Sequence, residues 1–397
     1  MKNIKVIFKK ELKDMLRDRR TLIFMILFPL LFVPLIVAGL PKLISSISEK
    51  NFNETLTLAV VGESYAPELI NQYRETENLI VVTNVPVDSI NQRISDETID
   101  GAIVIYEEFK NNLQNMIPVQ VDLYFRSSDD LDAKKRRFEK VLLDFSDTIK
   151  TNRYEVLNLD QQIFTPIEIR YNNIASQKER IGKSAGGWLP YLFILYCFMG
   201  AMYPALDLGA GEKERKTLET ILVSPASRLE ILLGKFGVIT TFGLLSAIMG
   251  LIGLSIGINF MDVLPEEIHT VLKDMLDFKT IGIILTLVVP VAIFFAAILL
   301  SISLYGRTYK EAQSLIAPLN IVVIFPAVIG TIPGIKFNAM TAAIPIVNIS
   351  LATKEVIAGT IEIPLLFEVY LSLLILAGLA IFLAVKMFNN ENVIFRG

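Results

Sequence analysis

Residues 208–230 read LGAGEKERKTLETILVSPASRLE, a short charged stretch between two long, uncharged apolar runs. A helix needs about 20 apolar residues to cross the roughly 30 Å hydrocarbon core of a bilayer. A polar segment of this length between two such runs is therefore predicted to form a short helix at one surface of a membrane. The stretch decides the fold class, because it marks the chain as an integral membrane protein.

The composition supports a membrane protein. The 397 residues have a mean hydropathy of +0.51, with 52% hydrophobic and 20% charged residues. Soluble domains are on average about 45–50% apolar and about 25% charged. A net charge of −3 gives no reason to expect a nucleic-acid partner. The single cysteine, Cys197, excludes disulfides within the chain and is predicted to be a small buried hydrophobe, whereas the single histidine, His269, is predicted to be solvated.

Six segments are predicted to span the membrane. They are residues 21–40, 184–206, 231–261, 280–306, 312–335 and 363–386. The uncharged stretch 337–353 is short and contains Pro345. Residues 336–362 are therefore predicted to form re-entrant or surface-lying short helices at the outer side.

Lysine and arginine set the predicted orientation, because both are enriched in cytoplasmic segments of membrane proteins. The first 20 residues hold eight of them. Others near span ends are Lys213, Arg215, Lys216, Arg228, Arg307, Lys310, Lys386 and Arg396. Six spans put all of these on the cytoplasmic side, together with both termini. Residues 1–20 are then an interfacial helix, 207–230 a cytoplasmic helix and 387–397 a cytoplasmic tail.

Two polar segments are predicted outside the membrane. In the first, 41–183, strand-like runs alternate with helical ones, which favours an α/β domain. The predicted strands are Thr55–Val61, Leu79–Val85, Gly101–Tyr106, Val119–Arg126 and Ile167–Ile174, and the predicted helices are Ala66–Thr76, Val87–Ile99 and Leu131–Leu157. The second, 262–279, is predicted to be an interfacial helix with Leu264, Ile268, Leu272, Met275 and Leu276 on one face. The fold class is thus six transmembrane helices with an extracytoplasmic α/β domain between the first and second.

No motif predicts catalysis or cofactor binding by this chain. Residues 181–184 read IGKS, like the end of a phosphate-binding loop, but Gln177 stands where that loop needs glycine. The spans contain no serine–histidine–aspartate set, paired-carboxylate site or zinc-binding HExxH pattern. The chain is expected not to be an enzyme and to bind no cofactor or metal.

The cytoplasmic helix is predicted to run over Glu212–Leu222, with Leu218, Ile221 and Leu222 forming an apolar face. Ser224-Pro225 ends it, because proline disfavours helix at the preceding residue. Residues 227–230, SRLE, are a capping box that begins the next helix. We interpret the segment as a docking helix for a partner protein, with an ordinary connecting loop as the alternative.

This segment closely resembles the coupling helix of ABC type-2 exporter permeases. The matching residues are Glu212, Glu214, Arg215, Lys216, Thr217, Leu218, Glu219, Thr220, Leu222, Ser224 and Pro225. The order of parts is also similar, beginning with KKELKDMLRDRR at residues 9–20. Within the family, the chain is most similar to NatB-type sodium-extrusion permeases over essentially its full length.

The resemblance implies a bacterial cell-membrane permease that works with a separate, NatA-like cytoplasmic ATPase. That subunit would bind ATP and Mg²⁺, and the assembly would contain two permeases and two ATPases. Leu218, Ile221 and Leu222 would fill a groove on the ATPase. The remaining coupling residues would be Glu212, Glu214, Arg215, Lys216, Glu219, Ser224 and Pro225.

The transport pathway is predicted from oxygen-bearing side chains within the spans. They are Thr240, Thr241, Ser246, Ser301, Ser303, Asn320 and, near one end of the last span, Glu368. Hard cations prefer oxygen ligands, yet hydroxyl side chains also serve as small packing residues between membrane helices. Asn320 is the strongest candidate, because a mid-span amide without a partner is costly.

Sodium export is the function that the resemblance favours. Export of a lipophilic antibiotic, peptide or lipid is the alternative, because the spans carry few charges. A receptor with an outer sensing domain is disfavoured, since the cytoplasmic segments are too short to form an output domain.

Overall fold

The computed structural model describes residues 2–126, 133–160, 167, 170, 172–261, 266–332 and 334–389. The chain divides into two compact units. The helical unit contains Met1–Lys42 and Ile174–Gly397, and the sheet unit contains Leu43–Asn173. Each unit has its own hydrophobic core.

Six helices are long and apolar enough to cross a membrane, which is the number that the sequence predicts. Spans 1 to 6 are Ile23–Ser46, Trp188–Glu214, Arg228–Asn259, Phe278–Tyr305, Tyr309–Thr331 and Ile363–Phe388. Spans 2, 3 and 4 are more than half buried and form the core, whereas less than a third of each of spans 1, 5 and 6 is buried. Cys197 is fully buried in span 2, as predicted.

Glycines let spans 2 and 3 approach closely. A Cβ at Gly200 would overlap the side chain of Ser246 and lie 2.9 Å from the carbonyl oxygen of Phe242. A Cβ at Gly243 would lie 3.0 Å from the carbonyl oxygen of Cys197. Small residues at such crossings are how membrane helices gain contact area. Spans 2 and 3 therefore form one closely packed pair.

Gly200→Ala is expected to destabilise the permease by about 1–3 kcal/mol, because its Cβ meets backbone as well as side chain. Gly378→Ala in span 6 is the matched control, since a Cβ there meets nothing within 4 Å. Thermal unfolding of the two purified variants measures the difference. Equal melting temperatures for both would contradict the close packing of spans 2 and 3.

The N-terminal helix, Lys2–Met15, packs on the start of span 3. A Cβ at Gly234 would lie 2.9 Å from Cβ of Ile7, and one at Gly237 would lie 3.1 Å from the ring of Phe8. Met15 and Glu11 are buried. The helix predicted within residues 1–20 is therefore part of the helical unit, with one face against it.

The sheet unit has four strands in the order β2-β1-β3-β4. They are β1 Leu56–Val61, β2 Leu79–Val82, β3 Gly101–Ile105 and β4 Val121–Phe125. β1 pairs in parallel with β2 and β3, and β4 is antiparallel to β3. Its α-helices, apart from the end of the span 1 helix, are Pro67–Glu75, Ile90–Ser95, Phe109–Gln114 and Ala133–Val156. Apolar clusters cover both faces of the sheet, as a mixed sheet flanked by helices requires.

The sequence predictions for this unit and its boundaries need four corrections. The predicted strand 167–174 is absent from the residues of that range that the structure describes. Phe109–Gln114 is a helix that the sequence did not predict. Gln177–Ala185, assigned to the outer domain, is a helix of the helical unit, and the helix of span 1 runs on to Asn53 rather than ending at residue 40.

Short helices also lie between the later spans. Glu266–Met275 follows span 3, and Ala339–Ala342 and Val347–Ala358 precede span 6. Met275 is buried and Leu272 and Leu276 are half-buried, whereas Leu264 lies outside the described residues, as does the side chain of Ile268. The prediction that His269 is solvated is wrong: the ring is half-buried and Nε2 donates to the carbonyl oxygen of Ile258 at 2.7 Å. That oxygen lies in the last turn of span 3, where helical carbonyls lack the regular amide partner four residues on, and it also accepts from the amide of Met261 at 3.2 Å.

Candidate functional site

The end of span 2 is a π-helical segment, Asp207–Gly211, held from two sides. On one side, the amide of Ala210 donates to Oγ of Ser303 in span 4 at 2.9 Å. On the other, Nζ of Lys235 in span 3 donates to the carbonyl oxygen of Leu208 at 2.7 Å. A π-helical turn disturbs the regular backbone hydrogen bonds, so these side chains supply partners that the helix lacks. The segment is thus fixed to spans 3 and 4 together.

A buried ion pair lies immediately after the π-helical segment in the chain. Lys235 is fully buried, Glu212 is 4% exposed, and Nζ of Lys235 donates to the carboxylate of Glu212. Each charge would be strongly unfavourable in this interior without the other. Sequence analysis placed Glu212 among the docking residues and missed Lys235. The available signal was that Lys235 is the one charged residue of the predicted span 231–261.

The N-terminal helix brings further charges to this junction. Glu11 is 3% exposed, and Nζ of Lys10 donates to it at 2.8 Å. Burial alone would lower the pKa of Lys10, but the hydrogen bond and charge of Glu11, with the more distant charges of Glu212 and Asp14, raise it. Lys10 therefore stays cationic at neutral pH. The N-terminal helix is tied electrostatically to the ends of spans 2 and 3.

The cytoplasmic helix predicted over Glu212–Leu222 is divided in the structure. Glu212–Glu214 and Thr217–Leu222 are separate helices, and Lys216 between them has a left-handed backbone with φ of 58°. An ion pair stabilises the chain at the break between the two helices. Nη1 of Arg215 lies 2.9 Å from Oδ1 of Asp207, and the hydrogen bond and charge of Asp207 raise the pKa of Arg215 despite partial burial.

Two contacts extend this bracing to spans 4 and 5. The carboxylate of Glu214 accepts a hydrogen bond from the amide of Tyr309 at 2.8 Å, at the start of span 5. Nζ of Lys213 donates to the carbonyl oxygen of Leu304 in span 4 at 3.3 Å. A force on the segment Glu212–Leu222 would therefore be transmitted directly to spans 3, 4 and 5.

The exposed side chains of this segment are not those of the predicted docking face, Leu218, Ile221 and Leu222. Leu218 is 2% exposed and packs in the core of this chain, so it is not available to fill a groove on a partner. Ile221, Leu222 and Ser224 are half-buried. Among residues 218–225 the exposed ones are Glu219, Thr220, Val223 and Pro225, and we call these four the docking ridge; the predicted docking residues Glu214, Arg215 and Lys216 before them are exposed as well. Val223 is 84% exposed, and sequence analysis did not select it.

The capping box that follows is confirmed. Oγ of Ser227 accepts from the amide of Glu230 at 3.2 Å, and the carboxylate of Glu230 accepts from the amide of Ser227 at 3.1 Å. The same carboxylate accepts from Nδ2 of Asn3 at 3.1 Å. The docking ridge is therefore bounded by a fixed helix start rather than by a loose loop.

The structure does not bring the predicted pathway residues together. Four of them donate to carbonyl oxygens of their own helix: Thr240, Thr241, Ser301 and Asn320. Ser246 packs against Gly200, and Oγ of Ser303 accepts from the amide of Ala210 in the π-helical segment. Both side chains therefore have structural roles between helices. Glu368 lies half-buried in span 6. Within the described residues, no hydrogen bond joins two of these side chains.

Asn348 is a buried amide that sequence analysis did not select. It is fully buried in Val347–Ala358. Its Nδ2 donates to the carbonyl oxygen of Ala342 at 2.8 Å and lies 2.5 Å from Oγ of Ser372 in span 6. Its Oδ1 has no hydrogen-bond partner among the described residues. The cost of a buried polar atom without a partner thus falls on Oδ1 of Asn348, whereas Nδ2 of Asn320 donates to the carbonyl oxygen of Ala317 at 3.2 Å.

Comparisons with known proteins are consistent over most of the chain. A sequence profile of the ABC-2 family transporter proteins matches residues 19–386. The chain is 28% identical over 360 residues to the ABC transporter permease protein NatB of Bacillus subtilis (strain 168), and the alignment covers 90% of each protein. No solved structure matches the chain.

Proposed function

The chain belongs to the ABC-2 family of transporter proteins, and from this premise we propose that it is the permease subunit of an exporter that moves sodium ions outward. The similarity to an ABC transporter permease over nine-tenths of both chains supports the permease role. ATP hydrolysis is assigned to a separate subunit, which binds ATP and Mg²⁺. The observation that carries the proposal is the docking ridge, an exposed corner braced against three spans.

The ridge would transmit motion in two steps. A cytoplasmic, NatA-like ATPase contacts Val223 together with the exposed side chains of Glu219 and Thr220 beside it. When two ATPases close on ATP, the ridge shifts, and the Glu212–Lys235 pair and the Ser303 hydrogen bond carry that shift into spans 3 and 4. Rigid movement of packed helices is a common means of switching access between two sides of a membrane. The closely packed spans 2 and 3 would move together.

Two permeases would pair in the bacterial cell membrane. Spans 1, 5 and 6 expose large apolar side chains, including Leu35, Phe325 and Phe367, which suit either lipid or a second permease. The lysine and arginine distribution supports cytoplasmic termini, and with them an extracytoplasmic position for the α/β domain that the sheet unit forms.

Sodium as the exported ion is supported by the resemblance of the coupling segment to NatB-type permeases. We expect ATP hydrolysis by the reconstituted permease–ATPase complex to rise several-fold when sodium replaces potassium on the ATPase side. The measurement is phosphate release in vesicles at constant ionic strength, with lithium as a second control. Equal hydrolysis in sodium and potassium would contradict sodium export.

Export of a lipophilic antibiotic, peptide or lipid is the second candidate. It is favoured because the hydroxyls of Thr240, Thr241 and Ser301 donate to carbonyl oxygens of their own helices and are therefore less available as ion ligands. Stimulation of hydrolysis by such compounds, without any sodium dependence, would select this alternative.

A further inference from the structure

A cavity of about 430 Å³ lies on the sheet unit, where the permease role gives it no purpose. We call it the sheet-unit groove. One wall is a stripe of the helix Ala133–Val156, and the other is the helix Phe109–Gln114 with the residues leading into β4. The apolar lining includes Leu113, Ile117, Val119, Leu142, Phe145 and Ile149. The volume is within the roughly 300–1,000 Å³ of small-molecule sites.

The helix wall has the spacing of a buried face. Leu142, Phe145 and Ile149 lie three and four residues apart, so they share one side of the helix. Such a face is normally covered, yet all three are half-buried, and Ile117 across the groove is 48% exposed. Covering this apolar surface would be favourable. The shape therefore fits an elongated apolar group.

The charges of the groove are of one sign. Among the lining residues, the charged ones are Lys150 and Arg153, both at the C-terminal end of the helix wall. Lys150 is paired with Asp147 at 2.7 Å. Arg153 donates to the carbonyl oxygens of Leu113 and Met116 at 3.3 and 3.4 Å, and no carboxylate among the described residues pairs with it. A guanidinium has five N–H donors, so several remain for a ligand.

We propose that the sheet-unit groove binds a single-chain amphipathic anion. Its apolar chain would lie along Leu142, Phe145 and Ile149, and its carboxylate or phosphate group would meet Arg153. Planar, paired donors make arginine well suited to both head groups. The proposal does not depend on which substrate the spans carry, because the groove lies wholly within the sheet unit.

Photolabelling of the full chain tests the proposal. The permease is purified without detergent in phosphatidylcholine nanodiscs and exposed to a dodecanoate analogue with a diazirine at its chain end. We expect the label in peptides that contain residues 109–121 or 142–153. Unlabelled dodecanoate should compete about fivefold better than neutral dodecanol, as one exposed ion pair allows. Lysophosphatidylglycerol as a second competitor tells whether a free fatty acid or a lipid head group is preferred.

Adjacent residues on one helix provide a matched control. Leu142→Trp fills the groove and is expected to lower labelling about tenfold or more, whereas Leu143→Trp, at an exposed position outside the lining, should not change it. Ile149→Trp replaces Leu142→Trp if that variant does not fold. Arg153→Gln should remove the preference for dodecanoate over dodecanol while labelling persists. The proposal would be overturned if no label reached the groove, which is the result expected when another part of the chain or a second copy covers it. Equal labelling of all variants would overturn it as well.

Discussion

Glu212→Leu is expected to destabilise the permease by about 3–5 kcal/mol, because it leaves the fully buried ammonium group of Lys235 without its counter-charge. The remaining hydrogen bond to the carbonyl oxygen of Leu208 cannot neutralise that charge. Lys235→Met should have a similar effect, since it strands the carboxylate of Glu212. The measurement is thermal unfolding of the purified variants, with the yield of folded protein in membranes as a second readout.

The controls separate burial from charge. The double variant Glu212→Leu/Lys235→Met removes both charges and should recover most of the lost stability, because apolar side chains of similar volume can replace a buried pair. Arg215→Gln breaks the more exposed pair with Asp207 and should change stability by no more than about 1 kcal/mol. A Glu212→Leu variant as stable as the wild type would show that the pair is not buried in the folded permease.

Val223→Asp is expected to weaken binding of the ATPase subunit about 30-fold or more, which is the effect of losing an interface hot spot of about 2 kcal/mol. Val223 is the most exposed apolar side chain of the ridge, so a charge there would disturb the contact without disturbing the permease. The measurement is the amount of ATPase that co-purifies with each variant in mild detergent.

Two variants test whether that effect belongs to the ridge. Leu218→Asp should reduce co-purification only together with permease stability, because Leu218 lies in the core of this chain. Leu229→Asp changes an exposed residue beyond the proline corner and should leave ATPase binding near the wild-type level. Equal loss of the ATPase from Val223→Asp and Leu229→Asp would contradict a specific ridge.

The long spans could be predicted from the sequence because each is a nearly uncharged apolar run whose length is set by the bilayer. The capping box at Ser227 could be predicted because its contacts are local. Which side of the short cytoplasmic helix is exposed could not be predicted. A short helix with Leu218 and Val223 on different sides does not indicate which side meets its own chain, and the left-handed turn at Lys216 rotates the two halves relative to each other.

Contacts distant in sequence account for most of the other differences. Glu212 and Lys235 meet only because spans 2 and 3 pack together, and Ser303 meets the π-helical segment across 93 residues. Three of the hydroxyl side chains suggested as a pathway, those of Thr240, Thr241 and Ser301, donate to carbonyl oxygens four residues earlier in their own helices. Residue type alone does not distinguish such a hydroxyl from an ion ligand. The pathway was therefore the least predictable part of the candidate site.

Site-specific crosslinking tests the central claim most directly. A photoreactive amino acid is placed at Val223, at Leu218 and at Leu229 in separate copies of the full chain, and the crosslinked products in native membranes are identified by mass spectrometry. The account predicts a crosslink from position 223 to a nucleotide-binding ATPase subunit, and none from position 218, which lies inside the permease. Crosslinks from position 223 to lipid alone, or to the ATPase from position 218 but not 223, would contradict it.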